Sequence, residues 1–227
     1  MLKLYIGNKN YSSWSMRSWV LLRQADIAFE EVKLRFDSFD STSTFKQAVN
    51  SVTPVGKVPV LEDGDLAVWD TLAIAEYLAE KFPAKTLWPA RTAARARARS
   101  ICAEMHSGFG ALRSACPMNI EADLATTGAL IWRDKPAVRA DVQRIINMWG
   151  ELLAEYQGAM LFGDFCIADA YFSPVAMRLA SYALPVPQEI SAYIRRLSAL
   201  PGVKAWMDDA RAENDFRAFE EPYRLSR

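Results

Sequence analysis

The stretch TPVGKVPVLEDGDLAVWDTLAIAEYLAEKF, residues 53–82, contains the pattern that decides the fold. Two short apolar runs, VPVL (58–61) and LAVW (from residue 66), flank the turn sequence EDGD and predict the two strands of a hairpin. Apolar residues then recur at helical spacing, so DTLAIAEYLAEKF (70–82) predicts a helix. A hairpin that leads into a helix indicates the closing part of a sheet covered by helices.

The segments before this hairpin also alternate between strand and helix patterns. In chain order we predict LKLYI (2–6) as a strand, the segment beginning SSW as a helix, FEEVKLRF (29–36) as a strand and STSTFKQAVN (41–50) as a short helix. A parallel pair of strands needs a crossover helix, and the helix between the first two strands can supply it. We therefore predict one α/β domain over residues 1–82.

The character of the sequence changes at PAKTLWPAR, residues 83–91, which prolines bracket and which we interpret as a linker. After the linker the apolar residues follow helical spacing, without a convincing strand. The predicted helices cover residues 92–115, 136–157, 167–183, 188–199 and 201–212. We therefore predict a second, all-helical domain over residues 92–227.

The amino-acid composition argues against two classes of binding partner. The chain of 227 residues is 51% apolar, and its 27 basic residues balance its 27 acidic residues, which argues against nucleic acid or an anionic membrane as the main partner. No apolar run reaches the about 18 to 20 residues of a membrane span and no signal-peptide pattern opens the chain, so we expect a cytoplasmic protein. The three cysteines are far apart in the sequence and predict neither a disulfide framework nor a metal site.

Two positions beside the hairpin favour a peptide-like ligand. Pro59 cannot donate to a sheet ladder, so it belongs at the start of a strand or at an edge, and Val58 then offers its main chain for β-augmentation. Amides at the start of a helix attract anions, so a ligand carboxylate would fit at Thr71 while Asp70 faces an ammonium. The alternatives are an ordinary edge proline and simple helix capping by Asp70.

The stretch NYSSWSMRSW, residues 10–19, places two adjacent hydroxyl groups before a helical pattern. Capping a helix needs one serine, whose oxygen accepts a backbone N–H of the first turn. The second hydroxyl of the pair, Ser12 and Ser13, is then available for chemistry.

Taken together, these features resemble the glutathione transferase family. The serine pair, the loop TPVGKVPVL, the segment DTLAIAEYL and an all-helical remainder occur in the family's order, and the serine pair resembles the S-S-x-S pattern of the zeta class and its bacterial relatives. The resemblance extends over essentially the whole chain. It implies a thioredoxin-like domain that binds glutathione as co-substrate without a metal, a helical domain that forms the wall for a small-molecule electrophile, a homodimer and a role in detoxification.

The resemblance also implies how the thiol of glutathione is activated. Ser12 matches the serine that donates to the sulfur, while Ser13 caps the helix or assists. Tyr5 and Tyr11 are rival donors, because other transferase classes use a tyrosine near the first strand. The free thiol has a pKa of about 8.5, so a donor that stabilises the thiolate would increase the reactive fraction at neutral pH.

The rest of the tripeptide is assigned by the same resemblance. Val58, in the turn with Pro59, pairs main chain to main chain with the cysteinyl unit. Asp70 and Thr71 hold the γ-glutamyl end, and Lys57 reaches the glycine carboxylate. Position 70 is more often Glu or Gln in the family, so the shorter aspartate predicts weaker affinity for glutathione without its loss.

The single histidine of the chain lies in EMHSGFGALRSACPMN. His106, Phe109 and Arg113 fall at spacings of three and four, so they would share one helical face, which in the family's geometry looks toward the sulfur. The alternative is a packed or solvated histidine. The predicted electrophile pocket also includes the side chains of Tyr11, Trp14 and Met118.

Two further segments are interpreted as structural. LFGDFCIADAYF resembles the family's buried folding motif, in which a Ser or Thr caps a helix and an Asp three residues later reaches back. Cys166 replaces the hydroxyl before Asp169, and because a thiol is a poor acceptor we expect a cap weaker by about 0.5 to 1 kcal/mol.

The other segment places three arginines on one helix face: Arg91, Arg95 and Arg99. We interpret this face as solvated or intersubunit rather than as a nucleic-acid site.

Three functions remain as hypotheses. The leading one is a glutathione transferase that adds the thiolate to a small electrophile. The second is zeta-like cis–trans isomerisation of a dicarboxylic double bond, of the maleylacetoacetate type, which ranks lower because the family member carries Arg where this chain has Tyr11. The third is a non-catalytic glutathione-binding or interaction protein of the same fold. A thioredoxin-type reductase lacks its cysteine here, and a serine hydrolase lacks the G-x-S-x-G elbow.

Overall fold

The computed structural model describes residues 1–224 and 226 of the chain. The N-terminal part is a four-stranded sheet in the order β2-β1-β3-β4. Its strands are β1 (Leu2–Ile6), β2 (Phe29–Lys33), β3 (Val60–Asp63) and β4 (Leu66–Trp69). Strands β1 and β2 are parallel, whereas β3 is antiparallel to both β1 and β4.

Helices account for the rest of the regular structure. Those of the N-terminal part are α1 (Ser13–Gln24), α2 (Thr44–Asn50) and α3 (Thr71–Lys81). The C-terminal part contains α4 (Thr92–Ser107), α5 (Gly110–Ala115), α6 (Ala125–Asp134), α7 (Pro136–Tyr156), α8 (Ile167–Ser181), α9 (Gln188–Ala199) and α10 (Pro201–Ala212). Over the described residues, none of these helices combines the length and the apolar character that a membrane crossing requires.

The predicted thioredoxin-like domain followed by a helical domain is confirmed. The side chains of β1 alternate between buried and half-buried, and Leu4 and Ile6 lie in the main hydrophobic core with Met16 of α1 and Ile74 of α3. This period-two burial is what a sheet with one covered face requires. Helix α1 is the crossover between the parallel strands, as the sequence pattern predicted.

Helix α1 also joins the two parts of the molecule, because it packs against α8 and α10 of the helical part. The ring of Trp19 lies 5.4 Å from the ring of Trp206 on α10, edge to face. Arg17 Nε donates to the backbone oxygen of Tyr171 on α8 at 2.9 Å. Since α1 is fixed on both sides, its N-terminus is held at the boundary between the two parts.

The observed helices and strands differ from the predicted ones at several places, including the strand predicted over 58–61, which begins only at Val60. The helix expected over residues 92–115 is interrupted at Gly108 and Phe109, where Phe109 adopts a left-handed backbone with φ 55°. Helix α6 was missed because its packing depends on Gly128, where a Cβ would lie 1.8 Å from the backbone oxygen of Tyr182, far along the chain. Strand β2 ends at Lys33, before the predicted residue 36.

The start of α8 contains the folding motif, with cysteine in place of the hydroxyl. The carboxylate of Asp169 accepts the Cys166 N–H at 3.0 Å and the Leu161 N–H at 3.1 Å, while the Cys166 thiol faces the Asp169 N–H. Tyr193 OH donates to the same carboxylate at 2.9 Å. The reciprocal capping arrangement is therefore present, with a thiol as one acceptor.

Replacing Cys166 with serine should stabilise the protein. The hydroxyl is a better acceptor for the Asp169 N–H than the thiol, so we expect the free energy of unfolding to rise by about 0.5 to 1 kcal/mol. Thermal denaturation should show the midpoint rising by about 1 to 4 °C. Cys102→Ser, at another buried cysteine outside any cap, is the control and should lower the midpoint. A fall for both variants would contradict the expected capping gain.

Two of the three arginines predicted to share one helix face hydrogen-bond to groups of the same chain. Arg99 donates twice to the carboxylate of Glu76 on α3, at 2.7 and 2.9 Å. Arg95 donates to the backbone oxygens of Pro89 and Ala90. Arg91 is exposed. The carboxylate that binds Arg99 therefore belongs to the same chain.

Candidate functional site

The hydroxyl groups at the start of α1 form a short hydrogen-bonded chain. Ser12 occupies the N-cap position, but its side chain accepts no backbone N–H of the helix. It donates to Ser15 Oγ at 2.7 Å, and Ser15 Oγ also accepts the Gly7 N–H at 3.2 Å. The prediction that one serine side chain caps this helix was wrong, because Ser12 bonds to Ser15 and Ser13 to a distant side chain instead of to the helix amides.

The second hydroxyl of the pair is bound by a buried arginine of the helical part. Arg178 Nη2 donates to Ser13 Oγ at 3.2 Å, and Arg178 Nε donates to the Cys116 backbone oxygen at 2.9 Å. Burial lowers the pKa of Arg178 to about 10, so the guanidinium remains charged at neutral pH. The N-terminal end of α1, which already carries a positive partial charge, therefore has a full positive charge beside it.

The two rival tyrosines are engaged elsewhere. Tyr5 OH donates to Glu62 at 3.1 Å, and Tyr11 OH donates to Glu221 at 2.7 Å. Burial, followed by the neighbouring carboxylate, raises the pKa of both phenols above the ordinary range. A phenol whose proton is committed to a carboxylate is a poor donor to a second anion.

A cavity of about 610 Å³ opens in front of the serine pair. Three phenylalanines that sequence reasoning missed form one wall: Phe36 lies 5.2 Å from Phe39 and 4.9 Å from Phe45, ring centre to ring centre. Their clustering in an otherwise polar stretch was the signal that could have found them. The cavity is also lined by Tyr11, Ser12, Ser13, Trp14, Lys46, Gly56, Lys57, Val58, Gly110, Arg113, Ser114, Pro117, Met118, Arg178 and Glu220.

A second cavity, of about 290 Å³, adjoins the first. Four residues line both: Trp14, Lys57, Val58 and Arg113. The others are Val55, Pro59, Trp69, Asp70, Thr71 and His106. The residues predicted to contact the γ-glutamyl end and the peptide backbone of glutathione thus surround one cavity, and the predicted thiol donor lies in the other.

The loop before β3 presents free main chain to both cavities. The Val58–Pro59 peptide bond is cis, and β3 begins only at Val60, so Pro59 precedes the ladder as its missing N–H requires. Among the described residues, no backbone hydrogen bond uses the N–H or the oxygen of Val58. Lys57 is exposed beside it. The loop can therefore receive a strand-like ligand and offers a cation next to it.

The start of α3 lies against the helical part through a polar network. Asp70 has a positive φ of 72°, and its Oδ1 caps the helix by accepting the Leu72 N–H at 2.8 Å. Its Oδ2 lies 3.3 Å from His106 Nε2. His106 Nδ1 and the Tyr171 hydroxyl are 2.9 Å apart, as are the Tyr171 hydroxyl and Thr71 Oγ1. The capping alternative for Asp70 is thus present, and its second oxygen faces His106, which lines the same cavity.

The predicted shared face of His106, Phe109 and Arg113 is not formed. The chain leaves the helix between the first two, and Phe109 is buried in the hydrophobic core, outside the residues that line either cavity. His106 packs against Trp14, ring centres 5.1 Å apart, and faces Asp70 rather than the serine pair. Arg113 lines both cavities, with its guanidinium 5.0 Å from the Trp14 ring.

The C-terminal segment closes one side of the larger cavity. Glu221 is buried and holds Tyr11, while Glu220 lines the cavity beside Arg178. Burial raises the pKa of Glu220 to about 7, and the positive charge of Arg178 opposes that rise. Neither glutamate was predicted, since the contact joins the two ends of the chain. Arg178 did leave a signal, because a charged residue is unusual in so apolar a helix.

Comparison with known proteins finds a family model, sequences and solved structures that are similar to this chain. Residues 11–81 match the family model described as the glutathione S-transferase N-terminal domain. Glutathione S-transferase 1 of Dianthus caryophyllus is 28% identical over 175 residues, which cover 76% of this chain and 75% of the relative. A glutathione transferase homologue from Burkholderia, solved with bound glutathione, is 25% identical with a TM-score of 0.68 over 93% of this chain and 98% of the other. A bacterial zeta-class maleyl pyruvate isomerase, at 22% identity, shares the fold with a TM-score of 0.67 over 90% and 95% of the two chains.

Proposed function

We propose that this chain is a glutathione transferase in which the Ser12 hydroxyl activates the thiol of bound glutathione for attack on a small electrophile. The observation that carries the proposal is the position of that hydroxyl at the N-terminus of α1, in the wall of the larger cavity. The commitment of Tyr5 and Tyr11 to carboxylates supports the choice of serine over tyrosine.

Activation depends on the fraction of glutathione present as thiolate. At a thiol pKa of about 8.5, only about 3% is ionised at pH 7, and the thiolate is the nucleophile. A hydrogen bond to a charged acceptor contributes about 1.5 to 3 kcal/mol, and each pKa unit corresponds to about 1.4 kcal/mol. One hydroxyl and the positive end of α1 would therefore bring the pKa to about 6.5 and the thiolate to roughly three quarters.

The hydrogen-bonded hydroxyl groups of Ser12 and Ser15 supply the proton donor for the glutathione sulfur. Without a ligand, the Ser12 proton points to Ser15 Oγ. A hydroxyl rotates freely about its C–O bond, so Ser12 would turn its proton to the sulfur while Ser15 donates to the Ser12 oxygen. Ser15 keeps its bond from the Gly7 N–H in both arrangements. Arg178 on Ser13 adds positive potential beside the same helix end.

We assign the tripeptide to the smaller cavity and to the loop before β3. The free main chain of Val58 pairs with the cysteinyl unit by β-augmentation, and Lys57 faces the glycine carboxylate. Asp70 Oδ2 accepts the γ-glutamyl ammonium, while the Thr71 amide at the first position of α3 receives the γ-glutamyl carboxylate.

The electrophile then occupies the larger cavity. Its phenylalanine wall, with Trp14 and Met118, suits a planar apolar body, since aromatic and thioether groups offer polarisable contacts. Arg113 and Arg178 line the same cavity and suit an anionic substituent. The electrophile class we propose is therefore a small, planar molecule, with or without a carboxylate.

These two arginines also favour a second candidate function, the glutathione-dependent isomerisation of a dicarboxylic double bond. The sequence disfavoured that reaction because Tyr11 replaces an arginine. Arg178 supplies a second cation from α8 that the sequence argument did not include. In this reaction glutathione adds to the double bond and leaves again, so glutathione is not consumed.

Two properties are proposed from the resemblance to glutathione transferases alone. We expect a homodimer and a cytoplasmic location with a role in detoxification. Neither the activation of the thiol nor the assignment of glutathione to the two cavities depends on them.

The experiment that tests the function is glutathione binding followed by an electrophile panel. Calorimetry should detect glutathione binding to the wild type, and Asp70→Asn should weaken it about tenfold, because the carboxylate that accepts the ligand's ammonium loses its charge. Asp164→Asn, at an exposed aspartate outside the lining of both cavities, is the matched control and should leave binding unchanged.

The panel then pairs planar aromatic electrophiles with unsaturated cis-dicarboxylates. Consumption of glutathione identifies conjugation, and a product isomer formed at constant glutathione identifies isomerisation. Absence of glutathione binding to the wild type would reject the proposed function. Undiminished binding by Asp70→Asn would reject the γ-glutamyl assignment alone.

A further inference from the structure

The polar network at the start of α3 connects the two parts of the molecule. Asp70 and Thr71 belong to the N-terminal part, whereas His106 lies on α4 and Tyr171 on α8. The links are 3.3 Å from Asp70 Oδ2 to His106 Nε2, 2.9 Å from His106 Nδ1 to Tyr171 OH, and 2.9 Å from Tyr171 OH to Thr71 Oγ1. Both residues assigned to the γ-glutamyl end are therefore held from the helical part.

The donor and acceptor roles in this network follow from its chemistry. The Asp70 carboxylate has only lone pairs to offer, so the ring nitrogen that faces it must carry a proton. In the tautomer with this single ring proton, His106 Nδ1 is an acceptor and receives the Tyr171 proton, and the Tyr171 oxygen receives the proton of Thr71. The Thr71 hydroxyl is thereby occupied as a donor, which leaves its amide for the ligand carboxylate.

The position of the Asp70 carboxylate is fixed at both oxygens. Oδ1 accepts the Leu72 N–H at the start of α3, and Oδ2 faces the His106 ring. The ring is in turn fixed by Trp14 on one side and by the buried Tyr171 hydroxyl on the other. Asp70 and His106 remain partly exposed in the smaller cavity, so a ligand reaches the same carboxylate.

We propose that His106 is a positioning residue for glutathione, which holds the Asp70 carboxylate in the orientation that receives the γ-glutamyl ammonium. This inference rests on the proposed function and deepens it. The aspartate at this position is a methylene shorter than glutamate, so its reach depends on its rotamer. The histidine supplies from the helical part the contact that sets that rotamer. His106 therefore acts on affinity for glutathione and not on the chemistry at sulfur.

The two ring nitrogens can be tested separately by variants that keep one of them. A glutamine amide nitrogen reaches approximately the position of Nε2 and retains the contact with Asp70. An asparagine amide reaches approximately the position of Nδ1 and retains the contact with Tyr171. Steady-state kinetics with varied glutathione, calorimetry with glutathione and thermal unfolding are measured for His106→Ala, His106→Gln and His106→Asn. Ser107→Ala, the next residue on α4 and exposed, is the control.

We expect His106→Ala to raise the KM and the Kd for glutathione about tenfold, the effect of one hydrogen bond to a charged group, with kcat within about twofold of the wild type. His106→Gln should restore most of the affinity, His106→Asn should resemble the alanine variant, and Ser107→Ala should be unchanged. The KM-against-kcat split and the glutamine rescue are results that general damage to the fold would not produce.

Three results would overturn the inference. An unchanged KM in His106→Ala would remove the histidine from glutathione binding. Rescue by asparagine but not by glutamine would assign its role to Tyr171. A joint fall of kcat and unfolding temperature in all three variants would make the role structural. A wild type that binds no glutathione would instead reject the proposed function, so the two failures are distinguishable.

Discussion

Ser12→Ala should reduce kcat/KM for thiolate addition by about 3- to 25-fold at pH 7, because the lost hydrogen bond to the thiolate, of about 1.5 to 3 kcal/mol, raises the pKa of bound glutathione from about 6.5 to between about 7.5 and 8.5. Ultraviolet absorption of the thiolate should show this rise of about 1 to 2 units. The loss of activity should nearly vanish at about pH 9, where the thiol ionises without help.

The control for this variant lies on the same helix. Ser18 is buried on α1, and its hydroxyl has no hydrogen-bond partner within the described chain, so Ser18→Ala removes an equal group without touching the cavities. It should leave both the thiol titration and the activity unchanged. A thiol pKa in Ser12→Ala equal to that of the wild type would remove Ser12 from the mechanism. Ser13→Ala would then be the next variant to titrate.

Asp169→Ala should lower the free energy of unfolding by about 3 to 5 kcal/mol, the largest expected effect on stability. The carboxylate is fully buried and accepts three hydrogen bonds, from the Leu161 and Cys166 amides and the Tyr193 hydroxyl. Removing it leaves three buried donors unsatisfied at the start of α8. Burial raises the pKa of Asp169 to about 6, so at pH 7 and above it is mainly ionised and accepts all three.

Chemical denaturation at pH 7.5 measures this loss as a shift of the midpoint at unchanged slope. Asp164→Ala, an exposed aspartate in the loop before α8, is the matched control, for which we expect a change within about 0.5 kcal/mol. A loss of less than about 1 kcal/mol in Asp169→Ala would show that water replaces the carboxylate at the three donors and that the motif does not anchor α8.

The order of strands and helices was readable from the sequence because periodicity is a local property. The hairpin over residues 58–69 and the helices from 136 onwards repeat their apolar residues every two or every three to four positions. The elements that were misjudged depend on distant contacts. Helix α6 needs Gly128 beside the Tyr182 carbonyl, and the break at Phe109 interrupts a continuous helical pattern.

The residues of the candidate site also fall into two groups, those that local sequence patterns mark and those that reach the site through distant contacts. Ser12, Val58, Asp70 and Thr71 stand at element boundaries that local patterns mark, so their positions beside the cavities were predictable. Arg178 was not, because it reaches the serine pair from 165 residues away. Glu220 was missed for the same reason, whereas the phenylalanine wall left a local signal in the clustering of three phenylalanines in a polar stretch.

By itself the sequence determined the fold, the serine pair at the start of α1 and the polar residues at the start of α3. Only the tertiary structure decided which hydroxyl is available. Tyr11 is committed to Glu221, 210 residues further along the chain, and His106 faces Asp70 instead of the serine pair. A hydrogen-bond partner so distant in sequence leaves no periodic trace, since it is set by the packing of α1 between the two parts of the molecule.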